Sequence, residues 1–313
     1  MKRIVVAGAG TMGSSIAQIF ARKGYEVTLY DVSEKALVLA KEKITENIKT
    51  LIQEKQLDGQ QAQLLFSYLN YTSSKNCFSN CDLVVENIIE NLKIKQDFHH
   101  EISHMVNDTT IIATNTSGLS INAIASKVHK PQRFIGMHWF NPAHLILLVE
   151  IIKADQTTDE TAQAIYDLSI SIDKKPVIID KDIAGFAANR IQFAVLREAL
   201  DLVENGVVSK EGIDDVMKYG LGFRYACLGP LEVADFGGLD TFYHIASYLM
   251  KDLCDSKEIP ILLKECYEKG YYGVKSKKGF YDYSDHREIE VTKKRDENLL
   301  KIFYALYGNK SQE

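Results

Sequence analysis

His138 closes the strand-like run Phe134-Ile135-Gly136-Met137 and precedes a turn at Asn141-Pro142, and Glu150 opens the next strand-like run. A carboxylate hydrogen-bonded to one imidazole nitrogen fixes the tautomer and raises the basicity of the other, which is how a general base is made. A satisfied structural histidine is the competing reading. Asn115-Thr116-Ser117 follows another strand-like run and can bring a hydroxyl to the same place; its alternative use is as a helix cap for residues 120–126. Glu86 and Glu90 flank a third strand end, where acids either contact a ribose or are merely solvated. His99, His100 and His104 fall on a polar helix and are expected in solvent, while His129, His244 and His286 have no compelling neighbours.

The elements that must position these residues alternate. Strand-like runs cover 3–7, 25–30, 83–85, 110–113, 134–137, 149–152 and 177–179. Helical periodicity covers 11–23 (Met12, Ile16, Ile19, Phe20) and, after an N-cap at Ser33, a long stretch to about Ile52. This alternation predicts a Rossmann-like α/β fold, a mostly parallel doubly wound sheet. From Phe186 onward the chain reads as helical, over 186–205, 210–219, 239–253 and 259–269. We therefore expect a dinucleotide-binding domain over 1–184 and an all-helical C-terminal domain over 185–313. In such a sheet the carboxyl ends of the strands face the ligand, and the candidates above all map to that edge. A last segment, 291–306, aligns Leu299, Leu300, Phe303 and Leu306 in one stripe, suited either to packing on its own domain or to a subunit interface.

Between the first strand and the first helix stands Gly8-x-Gly10-x-x-Gly13. Gly8 makes the tight turn, Gly10 lets a pyrophosphate approach and Gly13 lets helix pack on strand. The N–H groups of Thr11, Met12 and Gly13 at the helix start favour a bound diphosphate. Asp31 ends the second strand where a carboxylate meets the adenosine ribose; it accepts from a 2′-hydroxyl and repels a 2′-phosphate, so NAD is expected over NADP. The bland alternative for Asp31 is a turn or capping residue.

Composition fits these elements. The 313 residues are 46% apolar and 25% charged, with 19 Gly and 5 Pro, which excludes collagen-like and Pro-rich disordered chains. A net charge of −5 makes the chain a poor bulk ligand for nucleic acid or anionic membrane. The densest apolar run, at 145–149, is too short to span a bilayer, and the start at Met1-Lys2-Arg3 loses its apolar run at Gly8, unlike a signal peptide. Cys77, Cys81, Cys227, Cys254 and Cys266 are odd in number and scattered, which suits a reducing cytoplasm, and Cys77 and Cys81 lack partners for a metal site.

Read together, these segments resemble the 3-hydroxyacyl-CoA dehydrogenase family over nearly the whole chain. The resemblance rests on Gly8-Ala9-Gly10-Thr11-Met12-Gly13, on 86–93, on Asn115-Thr116-Ser117 and on Gly136-Met137-His138-Trp139-Phe140-Asn141-Pro142. It continues through Leu148-Val149-Glu150, Gly185-Phe186 with Asn189-Arg190, Gly229-Pro230-Leu231-Glu232 and Gly279-Phe280-Tyr281. It implies oxidation of an L-3-hydroxyacyl substrate to the 3-keto form, with hydride passing to the nicotinamide. By position, His138 matches the general base and Glu150 its orienting partner. Ser117 and Asn189 match residues holding the substrate oxygens and the imidazole. Glu90, Lys95, Ser117, Asn141 and Lys275 match cofactor contacts. The resemblance further implies a homodimer built through the helical domain.

Some residues depart from the family pattern. Asn47, Glu54 and the adjacent Lys55 stand nearest to where coenzyme A-binding members present Ser and Lys, and Ala184 stands where Pro is usual. Gly220-Leu221-Gly222-Phe223-Arg224-Tyr225-Ala226, with Ile191-Gln192, looks closer to the lambda-crystallin (L-gulonate 3-dehydrogenase) and carnitine dehydrogenase branches, which act on free hydroxy acids. Arg224 can grip a substrate carboxylate or form an ordinary interdomain salt bridge. Val233-Ala234-Asp235 with Gly237-Gly238-Leu239-Asp240 resembles the acyl-CoA branch instead. The expectation is a short-chain 3-hydroxyacyl-CoA dehydrogenase, the alternatives being a dehydrogenase of a small free hydroxy acid and a non-catalytic NAD-binding structural protein.

Overall fold

Runs such as Ile4-Val5-Val6-Ala7 and Leu83-Val84-Val85 are β-branched and apolar on consecutive positions, so they are stable only where both faces of a sheet are covered. A computed structural model, which describes residues 1–53 and 57–308, places them so. Glu54 and Lys55 lie outside the described residues; Asn47 is exposed, its amide 3.4 Å from Gln18 Oε1.

Chain order in the first unit is β1 (Arg3–Ala7), α1 (Thr11–Arg22), β2 (Glu26–Tyr30), α2 (Glu34–Gln53), α3 (Gly59–Ser67), β3 (Leu69–Thr72), β4 (Leu83–Glu86), α4 (Leu92–Ser103), β5 (Ile111–Thr114), α5 (Ile121–Ala125), β6 (Phe134–Trp139), β7 (Leu148–Lys153), α6 (Asp159–Ser171) and β8 (Lys175–Ile179). The eight strands form one sheet in the order β3-β2-β1-β4-β5-β6-β7-β8. Every pairing is parallel except β6 with β7. One face packs Ile16, Phe20, Ile44, Ile48 and Ile165 against the strands, and the other packs Phe78, Ile102, Ile124, Phe134 and Phe186. The edge strand β3 is absent from the sequence reading because Leu69-Asn70-Tyr71-Thr72 is short and half-polar, a pattern typical of sheet edges and loops alike.

Contacts divide the chain into two compact units, Met1–Arg190 and Ile191–Glu313, and the division falls within α7 (Ala188–Glu204). Gly185 and Phe186 take positive φ values of 75° and 52°, turning the chain just before that helix, so Phe186 is not yet helical. The second unit continues with α8 (Lys210–Val216), a π-turn at Met217–Leu221, α9 (Gly222–Tyr225), α10 (Pro230–Gly237), α11 (Leu239–Leu249), α12 (Ile261–Glu268) and α13 (Arg287–Tyr307). The helix expected over 291–306 thus begins four residues earlier. No described helix is long and apolar enough to cross a membrane.

Candidate active site

The registers Ala7↔Glu86, Glu86↔Thr114 and Thr114↔Gly136 bring the carboxyl ends of β1, β4, β5 and β6 to one edge. Four loops gather there by topology alone: 8–13, 87–91, 115–120 and 140–147. The antiparallel return of β7 then sets Glu150 directly across from His138.

His138 Nδ1 donates to Glu150 Oε2 at 2.8 Å, and both side chains are buried. Glu150 Oε1 accepts from the backbone N–H groups of Ala187 and Ala188, at 3.0 and 2.9 Å, where α7 begins. Burial pushes the Glu150 carboxyl up, but the His138 hydrogen bond and these two amides outweigh it and hold the group below the usual carboxylate range. The rings of Phe140 and Phe186, at 4.4 and 5.5 Å between centroids, wall the imidazole. No hydrogen bond among the described residues engages Nε2. An imidazole with Nδ1 committed to a carboxylate and Nε2 open can take a proton at Nε2.

Ser117 lies in the loop after β5, exposed, its N–H donating to Glu90 Oε1 at 2.9 Å and its carbonyl accepting from Asn189 Nδ2 at 2.7 Å. It does not cap α5: that task falls to Ser120, whose Oγ accepts from Ala123 N, while Thr116 Oγ1 accepts from Leu119 N. The Ser117 hydroxyl therefore has no capping duty. Glu90 also accepts from Thr116 Oγ1 at 2.5 Å, and Lys95 Nζ lies 3.5 Å from its other oxygen.

The phosphate-binding turn suits a dinucleotide. Gly8 has φ of 101°, and a Cβ there would meet Asn87 O at 2.5 Å; a Cβ on Gly13 would strike Gly8 O at 1.8 Å. At Gly10 the same position is open space. No side chain caps α1, and among the described residues no acceptor takes the N–H groups of Thr11, Met12 or Gly13. Unclaimed donors at a helix start beside an open glycine are what a diphosphate needs. Asp31 is oriented by two amides, Ala9 N onto Oδ2 at 2.8 Å and Ser33 N onto Oδ1 at 2.9 Å, so it organises the turn and still presents a carboxylate.

Several residues take roles that sequence reasoning missed. Glu86 is not at a solvated strand end but fully buried, as are Lys95 and His99, so His99 is not in solvent either. A polar helix face concealed it; the signal available was Glu86, Lys95 and His99 all lying on strand–helix positions that meet one face of the sheet. Asn115 ties two loops to the end of β6, accepting from Trp139 N at 2.8 Å and donating to Asn87 Oδ1 at 2.8 Å. Lys174 is buried and donates to the carbonyls of Ala143 and Ile146, at 2.5 and 2.7 Å, within the loop that carries Asn141. Its ammonium stands 5.4 Å from the Trp139 ring centroid, and burial brings its pKa down to about 8.

Asn141 is exposed, next to a cis peptide bond to Pro142. Lys275 and Arg224 belong to the second unit and are both exposed; Arg224 makes no ion pair among the described residues. All five cysteines are free, and among the described residues no cluster could hold a metal ion.

The fold and its glycine turn define the first unit as a Rossmann-like, NAD-binding domain of an oxidoreductase. The chain belongs to the 3-hydroxyacyl-CoA dehydrogenase family, matching the family's NAD-binding domain over residues 3–183 and its C-terminal domain over 185–283. It is 33% identical over 312 residues to 5-formyl-3-hydroxy-2-methylpyridine 4-carboxylate 5-dehydrogenase of Mesorhizobium japonicum, covering 98% of this chain and 99% of that one. The crystal structure of an enzyme of that activity, an NAD+-dependent dismutase, superposes with a TM-score of 0.89 at 31% identity, covering 98% and 99% of the two chains. A probable 3-hydroxybutyryl-CoA dehydrogenase of Deinococcus radiodurans is 38% identical over 279 residues, 89% of this chain and 99% of its own. The structure of the (S)-3-hydroxybutyryl-CoA dehydrogenase of Ralstonia eutropha gives a TM-score of 0.77 at 34% identity, over 91% and 100% of the chains.

Proposed function

We propose that the protein oxidises the secondary alcohol of a short-chain L-3-hydroxyacyl-CoA, such as 3-hydroxybutyryl-CoA, to the 3-ketone. The observation that carries this reading is the buried His138–Glu150 pair with Nε2 uncommitted. His138 Nε2 removes the hydroxyl proton, and the carboxylate of Glu150 stabilises the imidazolium that results. NAD, when bound, accepts the hydride released from the same carbon. Ser117 and Asn189, already joined through the Ser117 carbonyl, hold the substrate oxygen and steady its charge. Gly8, Gly10, Thr11, Met12 and Gly13 hold the diphosphate and Asp31 the adenosine ribose, while Glu90, Asn141 and Lys275 complete the cofactor contacts; Lys95, expected among them, is fully buried and reaches the cofactor side through Glu90. The reaction belongs to fatty acid metabolism in a reducing cytoplasm, which free cysteines suit.

A second reading replaces the thioester by a free carboxylate held by Arg224. It is favoured by the full-length similarity to a pyridine carboxylate dehydrogenase, which at 98% coverage includes most of α13, beyond the residues the family models match. Assay of 3-hydroxybutyryl-CoA beside free 3-hydroxybutyrate separates the two: the ester is expected to turn over far faster, and equal rates would reject the thioester reading.

The protein is further proposed to act as a homodimer through its second unit, where Phe223, Leu231 and Phe236 remain 77%, 81% and 81% exposed. An apolar surface on that scale calls for a covering partner, and a second copy supplies one.

A further inference from the structure

Behind the site, at the end of β4, lies a charged cluster of which only Lys95 enters the function proposed above. Glu86, Lys95, His99 and Thr114 are each fully buried. Glu86 Oε1 accepts from Lys95 Nζ at 2.5 Å and Ile88 N at 2.7 Å, and Oε2 accepts from Thr114 Oγ1 at 2.6 Å and His99 Nε2 at 3.0 Å. That fills the acceptor sites of a carboxylate. His99 Nδ1 has no partner among the described residues, and Phe98 and Phe134 pack on the ring at 5.3 and 5.0 Å between centroids. His99 therefore serves the cluster through Nε2, which donates to Glu86.

Lys95 is the link outward. Its ammonium lies 2.5 Å from Glu86 and 3.5 Å from Glu90, whose side chain is 45% exposed. Glu90 in turn fixes Thr116 Oγ1 and Ser117 N, and Ser117 holds Asn189. A chain of contacts therefore runs from His99 through Glu86, Lys95 and Glu90 to Ser117. A buried ion pair is a poor source of stability, since packed apolar residues would do as well. This one stands directly behind an acid that must keep its orientation.

We propose that Glu86, supported by Thr114 and His99, is a positioning residue for cofactor binding: it anchors Lys95 so that the ammonium steadies Glu90 without capturing it. Without the Glu86 charge, Lys95 closes on Glu90 and draws that carboxylate off Ser117 N. The inference rests on the assignment of Glu90 to the cofactor side of the site made above.

Titration calorimetry of the full chain with NAD, no substrate present, tests it independently of which alcohol is oxidised. Glu86→Gln is expected to raise the NAD Kd about tenfold, the scale of one hydrogen bond to a charged group. In a Glu90→Gln background the same change should cost less than twofold, because the residue it acts through is gone. Equal losses in both backgrounds would overturn the proposal, as would an unchanged Kd in folded Glu86→Gln or in Glu90→Gln alone. Thr114→Val removes a single donor from Glu86 and should raise Kd about threefold, again only when Glu90 is intact. Should Glu86→Gln fail to fold, the Thr114→Val cycle decides alone, and equal losses there would sink the idea.

Discussion

In the sheet-bearing unit, Val6, Val85, Ala113 and Ile135 are fully buried, and helices cover both faces of the strands that carry them. In the helical unit, Leu200 and Val233 are the buried apolar residues among those described, while Phe223, Leu231, Phe236 and Tyr243 stand mostly in solvent. The first unit closes its own core; the second spends its apolar residues on a surface. The polar residues divide the same way. Those of the first unit are locked into networks around His138 and Glu86, whereas Arg224 and Lys275 of the second are exposed. The contrast sets the groups proposed for proton transfer inside the sheet unit and leaves the helical unit with apolar side chains that its own helices do not cover.

The sharpest test of that division is His138→Gln. It should lower kcat by roughly 10²–10⁴, the usual contribution of a positioned base, while the NAD Kd stays within a few-fold. Unchanged turnover would remove His138 from the chemistry and the first unit from its central role.

Next in size is an acid effect on the buried network. Burial raises the Glu86 pKa, yet the hydrogen bond from His99 and the Lys95 ammonium bring it down to about 2, against 4.5 for a free carboxyl. A depressed carboxylate pKa contributes stability that is present above pH 4.5 and is lost as pH falls toward 2. Urea denaturation across that window should show the wild type losing roughly 2–3 kcal/mol relative to Glu86→Gln. Parallel losses in the two proteins would show that the carboxylate is not stabilised as described.

The helical unit is tested by Phe236→Asp, which should weaken self-association by about 2 kcal/mol or more and shift sedimentation toward the monomer. Ile170→Asp, at an exposed position of the first unit, should leave sedimentation unchanged. If neither change moves the association state, the exposed helical surface is not a dimer interface.

The smallest expected effect is at Asp31. Asp31→Ala should reduce NAD-over-NADP selectivity by about tenfold in Kd, since it removes the repulsion of a 2′-phosphate. Selectivity that survives would mean the adenosine ribose is held elsewhere.

The strands and the phosphate-binding turn were legible because their signals are local. Ile4-Val5-Val6-Ala7 followed by three spaced glycines has one economical reading, and the glycine geometry follows from steric limits on a turn. His138, Glu150 and Ser117 were legible as strand-end residues. What was not legible were the residues whose burial depends on a neighbouring element. His99 shares α4 with exposed His100, exposed His104 follows at its C-cap, and periodicity could not show that the His99 ring lies against Glu86 and Phe134. Lys174 reads as one of several lysines near a turn, and only the packing of the 140–147 loop makes it a buried strut. The short edge strand β3 and the π-turn before α9 escaped for a related reason: their hydrogen bonds depend on the adjoining strand and on helical packing rather than on residue preference.

The amino-acid order alone determined the alternation of strand and helix, the place of the glycine turn, and the set of polar residues that fall at strand ends, because backbone sterics and apolar periodicity act over a few residues. Which of those polar residues touch was decided by tertiary structure. Pairing Glu150 with His138 required the single antiparallel return in the sheet, and binding Glu86 to Lys95, His99 and Thr114 required one helix and one strand to close over a common strand end. Directional contacts of that kind reach across the chain, and only a folded sheet fixes their distances.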